Sequence, residues 1–533
     1  SSYDRAGTFD SIGVGMIERA LRLKAVAVRR QYGTDADMGD PYVDGVVINA
    51  YSGPGTTALR IDELRIDGLV PVGDQIVLGN HAATDSINRA LRPGDDAAPI
   101  NQNAFPQGTV TRILQHNGEP LSWVRSLGFD AVLIQGPLDA EILREAIRAR
   151  VKIYSPPPSA PDPDLQPLLD PVAGWYLGSG EALDSRHIDD VTQTTRRLRR
   201  WPTRWQRPLV AAPAEHWQSY AALLDAIVDD LPIRNRGIPG GEEVAQMRET
   251  RMRVGDRVES GVGIVSMPAE TMLAQAEAIA DLIGAPRPLS FRWHSMWVQT
   301  MRSLESTPAA ILFRSSRSLA TGSELATQRS TALSYINRIV AMISPWVATA
   351  SPAPPPPLVG APYRCSRLTS GGTDLLILTT VAARGTEVLA GDGEVIDIQL
   401  SPTEATRTVW RLTHFSAERL TPEVTATGAR IQIVSPDVAE ILVLSSDPSV
   451  GGRLAQSAAR FARQDGLVRW QLSSDVVLRT EMFWAAAAAS RVSDRAAPTN
   501  LVAVARRTLA DAEPLYRAGD VDASLRMARR ADA

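Results

Sequence analysis

The sequence predicts a multidomain chain of the α/β-plus-all-β class. Its parts are a TIM-like (β/α)8 barrel, a C-terminal antiparallel β-sandwich, a helical tail and, ahead of the barrel, the remnant of another β-sandwich. Three observations predict it. Between residues 109 and 349, eight short apolar runs occur, most of them followed by a helical stretch. A Pro-rich stretch, "ASPAPPPPLVGAP" (350–362), ends that alternation. Beyond it, β-branched runs follow one another without helices, until Ala and Arg take over at about residue 449.

A chain of 533 residues exceeds what one hydrophobic core supports. Residues 1–78 open with "IGVGMIERALRLKAVAVRRQY" (12–32), where Ile17, Leu21, Ala25 and Val28 mark one helical face. "YVDGVVINAY" (42–51) and "TALRIDELRIDGLV" (57–70) then flank the turn "SGPG" and read as closing strands of a jelly-roll-like sandwich. Residues 79–108 are polar, carry Pro93, Pro99 and Pro106, and read as a linker.

The barrel region, 109–349, offers eight strand candidates. They are "TVTRILQH", "AVLIQG", "VKIYSP", "VAGWYLG", "RPLVAAP", "AIVDDLP", "GVGIVSMP" and "AAILFRS". Helix candidates at 119–127, 138–149, 184–199, 215–224, 240–252, 269–283 with 289–305, and 323–343 separate or follow them. The third connection, 157–171, is Pro/Asp loop. Continuous apolar runs suit strands covered on both faces, by helices outside and by the barrel interior. Eight such units over this length match a closed (β/α)8 ring, and no GxGxxG follows the first strand to favour a dinucleotide fold.

The Pro-rich 350–362 reads as a semi-rigid spacer that cannot supply a central strand. Residues 363–448 follow as an antiparallel sandwich, with "DLLILTTVA", "EVIDIQL", "RTVWRLT", "ARIQIVS" and "AEILVLSS" as strands. In the tail, 449–533, helical periodicity covers 453–464, 475–492 and 499–531, with a break at Gly519-Asp520.

Composition excludes several classes. A net charge of −4 gives no global field for nucleic acid or anionic lipid. Lysine occurs only at Lys24 and Lys152, so Schiff-base and P-loop lysine chemistry have almost no candidates. The lone Cys365 and six scattered histidines predict neither disulfides nor a metal site, and no cofactor motif is present. No apolar run reaches the roughly 18 residues that span a bilayer. The chain starts without Met and a signal-peptide pattern and stops inside a helical pattern, so it is expected to be part of a longer protein. Nothing in the pattern specifies an oligomeric state.

The order of parts resembles multidomain proteins of planctomycete-type bacteria that join a jelly-roll remnant, a glycoside-hydrolase-like barrel, a β-sandwich and a helical tail. "YVDGVVINAYSGPGTTALRIDELRIDG", "RILQHNGEPLSWVRSLGFDAVLI", "GWYLGSG" and "ALSYINRIVAMISPWVATASP" carry the resemblance. It implies an exported or cell-envelope, carbohydrate-related protein with a polysaccharide or other glycan as partner. The activity it implies is glycoside hydrolysis. The alternative is a catalytically silent barrel that binds carbohydrate or serves as a cell-envelope interaction module.

Glycosidic hydrolysis needs two carboxyl groups, one protonated to release the leaving group and one ionised. In barrels these sit at the C-terminal ends of strands. Retaining barrel glycosidases commonly place the acid after strand four and the nucleophile after strand seven. Glu181 and Glu270 occupy those places, although Ser179-Gly180 stands where an Asn would precede the acid. Glu270, in "PAET", equally fits a first helical turn favoured by the macrodipole, a reading that also covers Glu119 and Glu215.

Other residues could bind a sugar. Asp229 and Asp230 end the sixth strand, and alternation admits at most one of them, Asp230 in our assignment, to the lumen. Arg314 and Arg317 could fork onto a substrate carboxylate, or be solvated loop arginines. Trp175 either stacks on a sugar from the lumen or packs outward against helices. His116 and Asn117 could meet sugar hydroxyls or satisfy loop backbone. Phe291, Trp293, Trp297, Met301 and Leu304 follow helical spacing and read as core.

Overall fold

The computed structural model describes residues 103–180, 183, 188–213, 216–231, 258–265, 293–315, 317–322, 324–360, 363–380, 395–412, 417–434, 436–489, 499–519, 524, 527, 528 and 531. The expected N-terminal sandwich remnant, helices 240–252 and 269–283, and both Glu181 and Glu270 lie outside the described residues.

Eight parallel strands close into a barrel in chain order. They are β1 (Thr111–Gln115), β2 (Ala131–Leu133), β3 (Lys152–Ser155), β4 (Val172–Ser179), β5 (Leu209–Ala212), β6 (Ala226–Leu231), β7 (Glu259–Val265) and β8 (Ala310–Arg314). The ring shuts where β1 pairs with β8, Thr111 against Ala310 and Ile113 against Leu312. Inward residues, among them Ile113, Leu133, Tyr154, Val210, Val228 and Leu312, form one buried cluster. Their neighbours Leu114, Val132, Ile153, Leu209, Ile227 and Ile311 belong to a second, outer cluster beneath the helices. Both faces of each strand leave water, which is why these segments read as unbroken apolar runs.

The outer layer comprises α1 (Leu121–Ser126), α2 (Ala140–Ala149), α3 (Ile188–Arg199), α4 (Trp217–Ala221), α5 (Trp293–Leu304) and α6 (Glu324–Thr349). The connection from β3 to β4 holds only a 3-10 turn, Gln166–Leu168. Its prolines at 156, 157, 158, 161 and 163 deny a helix its donors. Asp139 caps α2 by accepting from the Ile142 N–H at 2.8 Å. After α1 the chain reverses at Gly128, whose φ of +87° suits glycine. A Cβ there would also press on Asn337 of α6 at 3.1 Å.

The stretch read as a linker enters the barrel. Ala104 and Phe105 are buried in the inner cluster. The Phe105 N–H donates to Glu259 Oε2 at 2.7 Å, and Tyr154 Oη donates to the Ala104 carbonyl at 2.7 Å. "NAFPQ" thus plugs the N-terminal end of the cylinder. A single aromatic residue among polar ones leaves no periodic signal, so only tertiary contact identifies it.

Past the barrel, two antiparallel sheets face each other. The six-stranded sheet is ordered β15 (Ala417–Leu420), β14 (Thr408–Leu412), β18 (Ala439–Ser445), β12 (Thr373–Thr380), β11 (Tyr363–Ser370), β9 (Ser351–Ala353). The four-stranded sheet is ordered β10 (Leu358–Gly360), β13 (Val395–Leu400), β17 (Gly428–Val434), β16 (Glu423–Thr425). Leu376, Leu378, Ile396, Ile398, Ile431 and Leu442 form the core between them. The other face of the larger sheet, with Leu375, Ile377, Ile441 and Val443, joins the outer barrel cluster. β12 is consequently buried along its whole length.

The Pro-rich 350–362 is not a free spacer, because it supplies β9 and β10. Both are edge strands, where hydrogen bonding is needed on one side only and proline is tolerated. Barrel and sandwich are further joined by polar contacts. Arg302 Nη2 donates to the Thr380 carbonyl at 2.9 Å, and the fully buried Glu305 lies 3.2 Å from Arg364.

The tail begins as one 41-residue helix, α7 (Ser449–Ala489), where the sequence suggested two. Residues 465–474 continue it despite Gly466, which costs about 1 kcal/mol in a helix interior. Arg469, in that segment, is buried with its guanidinium 4.2 Å from the Trp293 ring and 3.6 Å from Asp437. Tertiary contact outweighs local propensity there. A second helix, α8 (Thr499–Arg517), ends before Gly519, which has φ +87°.

Candidate active site at the barrel mouth

Polar side chains gather at the C-terminal end of the strands, above the apolar layers. On β8, alternation places Arg314 on the same face as the inward Ala310 and Leu312. On β4, Tyr176 is buried among the inward residues. Arg314 Nη2 donates to Tyr176 Oη at 2.8 Å, and its guanidinium carbon lies 6.0 Å from the ring centroid. In a ring of eight, strands four and eight stand opposite each other, so this pair bridges the lumen.

Trp175 is not on that face. It is buried outside the strands, stacked on Trp205 at 6.2 Å and edge-on to Trp201 at 6.1 Å. Its Nε1 donates to the Trp205 carbonyl at 2.9 Å. Successive strand residues point to opposite faces, and the aromatic that enters the lumen is Tyr176. The adjacent "WY" carried that signal, but not its phase.

His116 and Asn117 are engaged by their own loops. His116 Nε2 donates to the Glu119 carbonyl at 2.8 Å. Asn117 Nδ2 reaches the Ser315 carbonyl at 2.8 Å and the Gln115 carbonyl at 3.3 Å, tying the loop after β1 to the end of β8. Glu119 is buried, and its two oxygens accept from the N–H groups of Asn117 (2.7 Å) and Leu319 (2.8 Å). It holds two loops rather than serving the first turn of α1, which starts at Leu121.

Behind β8, Arg329 of α6 is buried and donates to Ser315 Oγ at 2.8 Å. Burial lowers its pKa to about 10; the charge of Glu119 opposes that shift and that of Arg317 adds to it. It remains a cation at neutral pH. Arg317 itself is exposed. On β6, Asp229 is buried and follows Ile227 on the outward face by alternation. Position 230 pairs with Gly263 of β7; the Asp230 side chain lies outside the described residues. β4 ends at Ser179 and β7 at Val265, so Glu181 and Glu270 follow the fourth and seventh strands in sequence.

A cavity of about 530 Å³ lies at the opposite end, lined by Phe105, Thr111, Lys152, Tyr154, Val172 and Arg207 among others. Thr111, Lys152 and Val172 open their strands, so this is the N-terminal face, the end away from the βα loops that build barrel active sites. Arg207 donates there to the carbonyls of Val172 (2.7 Å) and Leu169 (3.1 Å). Among the described residues no group of three or more His, Cys, Asp or Glu could hold a metal ion. None of their helices is long and apolar enough to cross a membrane.

No family model matches the chain, and no curated protein matches it. Solved structures do. An Anoxybacillus alpha-amylase is 10% identical with a TM-score of 0.39, covering 64% of this chain and 98% of its own. An alpha-amylase from H. orenii is 8% identical with a TM-score of 0.40, covering 64% and 100%. The alpha-fucosidase of Thermotoga maritima, solved with fucose, is 9% identical with a TM-score of 0.34, covering 61% and 78%. These likenesses are of fold alone.

Proposed function

We propose that this is a carbohydrate-related protein whose barrel mouth receives a glycan and hydrolyses a glycosidic bond. The supporting observation is the polarity of the cylinder. Its N-terminal end is plugged by Phe105 and its middle filled by aliphatic residues, while Tyr176 and Arg314 meet at the C-terminal end. Active sites of (β/α)8 barrels are built at that end. In this reading Glu181 protonates the leaving oxygen as general acid and then activates water as base, and Glu270 is the nucleophile. A separation of about 5–5.5 Å between the two carboxyl groups would accompany retention of configuration. The protein would act outside the cytoplasm, secreted or at the cell envelope.

The test is turnover of a glycan panel by the parent protein and its Glu181→Gln variant. Loss of general acid catalysis lowers kcat by about 10²–10⁴-fold. Equal turnover by the two proteins would remove Glu181 from the mechanism. A second reading, a catalytically silent binding barrel, is favoured by the bridge across the lumen and by the engagement of His116, Asn117 and Glu119 within loops. Binding without turnover anywhere on the panel would select it.

A further inference from the structure

The cavity at the N-terminal end of the cylinder, beside the plug, carries its own set of polar groups. Alternation with Ile113 and Tyr154 turns Thr111 and Lys152 toward the barrel axis, as the lowest inward residues of β1 and β3. Both line the cavity, as do Asp130, Asp170 and Arg207. Thr111 is buried, and its hydroxyl has no hydrogen-bond partner among the described residues. Lys152 is exposed at the rim; its ammonium donates to the Asp170 carbonyl at 3.2 Å and has two further protons to give. Asn103 and Gln107, on the plug, line the same space.

The carboxylates of this cavity already have cations. Asp130 lies 2.8 Å from Arg112 and 3.0 Å from Arg125, and Asp170 lies 2.6 Å from Arg204. Among the described residues neither Lys152 nor Arg207 has an ion pair of its own, so the cavity wall holds an excess of positive charge. Burial, and then the like charge of Arg204, lower the Arg207 pKa, opposed by Asp170. Arg207 turns its donors to the carbonyls of Val172, Arg204, Gln206 and Leu169, and so contributes a field rather than a fork. What remains for a ligand is a flexible ammonium at the rim and a hydroxyl deeper in. A planar carboxylate is met best by a guanidinium fork, whereas a tetrahedral phosphate is met well by the point charge of a lysine.

We propose that this cavity is a second binding site, for a small hydroxylated phosphate ester of the sugar-phosphate class. Lys152 receives the phosphate at the rim, Thr111 donates to a hydroxyl of the body within, and the side-chain amides of Asn103 and Gln107 serve the remaining hydroxyls. A volume of about 530 Å³ is in the range of small-molecule sites. The site lies at the other end of the cylinder from the mouth and does not depend on the glycan reading.

The full chain is titrated calorimetrically with glucose 6-phosphate, glucuronate, glucose and inorganic phosphate. Glucose 6-phosphate is expected to bind at least ~10-fold more tightly than glucuronate or glucose, the scale of one well-made charged contact. Lys152→Gln removes that preference, and Lys152→Arg, which keeps the charge, retains part of it. Thr111→Val keeps the shape and removes the hydroxyl; it is expected to weaken glucose 6-phosphate about 3–10-fold and to leave inorganic phosphate unchanged. Lys152 is exposed and the Thr111 hydroxyl is unpartnered, so neither change takes a packed group from the fold. Absence of glucose 6-phosphate binding, or binding that Lys152→Gln leaves intact, overturns the proposal. Glucuronate binding as tightly as the ester overturns the phosphate assignment, and inorganic phosphate binding as tightly as the ester overturns the hydroxylated body. Each of these outcomes leaves the reading of the mouth standing.

Discussion

Arg314, the last residue of β8, donates a 2.8 Å hydrogen bond to the phenol oxygen of Tyr176 on β4, from the opposite side of the barrel. The bond joins the most distant pair of strands in the ring. It therefore braces the mouth across its width, where neighbouring strands brace it only around its circumference.

Tyr176→Phe tests that brace. The ring stays, and with it the contact to the guanidinium, but the acceptor is lost. A hydrogen bond to a charged group is worth about 1.5–3 kcal/mol, so a loss toward the lower end is expected for a half-buried pair. Urea denaturation midpoints of the two proteins measure it. An unchanged midpoint would mean that the bridge does not hold the mouth.

Glu259, at the plugged end, predicts a pH effect. Burial raises its carboxyl above the usual value, against the N–H donated by Phe105. The folded chain therefore holds a proton here where the unfolded chain has released it. The resulting stabilisation is complete at acid pH, below the unfolded value, and is lost as pH rises through the raised folded value. Glu259→Gln keeps an acceptor for Phe105 and removes the titration. Against the parent protein it should be at least as stable at pH ~8, with its advantage shrinking toward pH ~4, near the carboxylate reference value. Denaturant midpoints across that range decide the matter; an advantage independent of pH would contradict it.

Two adjacent glycines near the start of α7 should respond oppositely to the same change. A methyl group at Gly451 would overlap the Trp410 indole of β14, whereas nothing stands within 4 Å of one at Gly452. Gly452→Ala should gain up to about 0.5–1 kcal/mol from helix propensity. Gly451→Ala should lose about 1–3 kcal/mol through overpacking. Melting temperatures of the pair test whether α7 rests on the sandwich as closely as described.

Cys365 should be inert in the folded protein. It lies buried between the two sheets, and burial, with the nearby charge of Glu305, pushes its thiol up to about 12, partly opposed by Arg367 and Arg364. Reaction with a thiol reagent at neutral pH is expected only after unfolding, one equivalent per chain. Rapid native labelling would place the residue at an accessible surface.

The barrel strands were legible because burial on two faces writes itself into sequence as an apolar run: "AILFR" and "LVAA" could hardly be surface. Edge strands were not. β9, "SPA", β15, "AERL", and β16, "EVT", have few buried residues and owe their conformation to one hydrogen-bonded neighbour. At the site, Arg314 was visible from its place at the end of a strand. Tyr176 was missed because Trp175 beside it is the larger and more obvious candidate. Phe105 was missed because a plug needs one apolar side chain, not a pattern.

The number and order of the barrel strands, the sandwich after them and the helical character of the tail could all be read along the chain. Each of these follows from local periodicity and punctuation. Long-range packing settled which of two neighbouring aromatics enters the lumen, that "NAFPQ" closes the cylinder, that a Pro-rich stretch edges two sheets and that α7 runs unbroken. The physical reason is common to all four. The phase of an alternating strand, the burial of an isolated residue and the survival of a helix through glycine are set by the partner packed against them, and that partner lies far away in the chain.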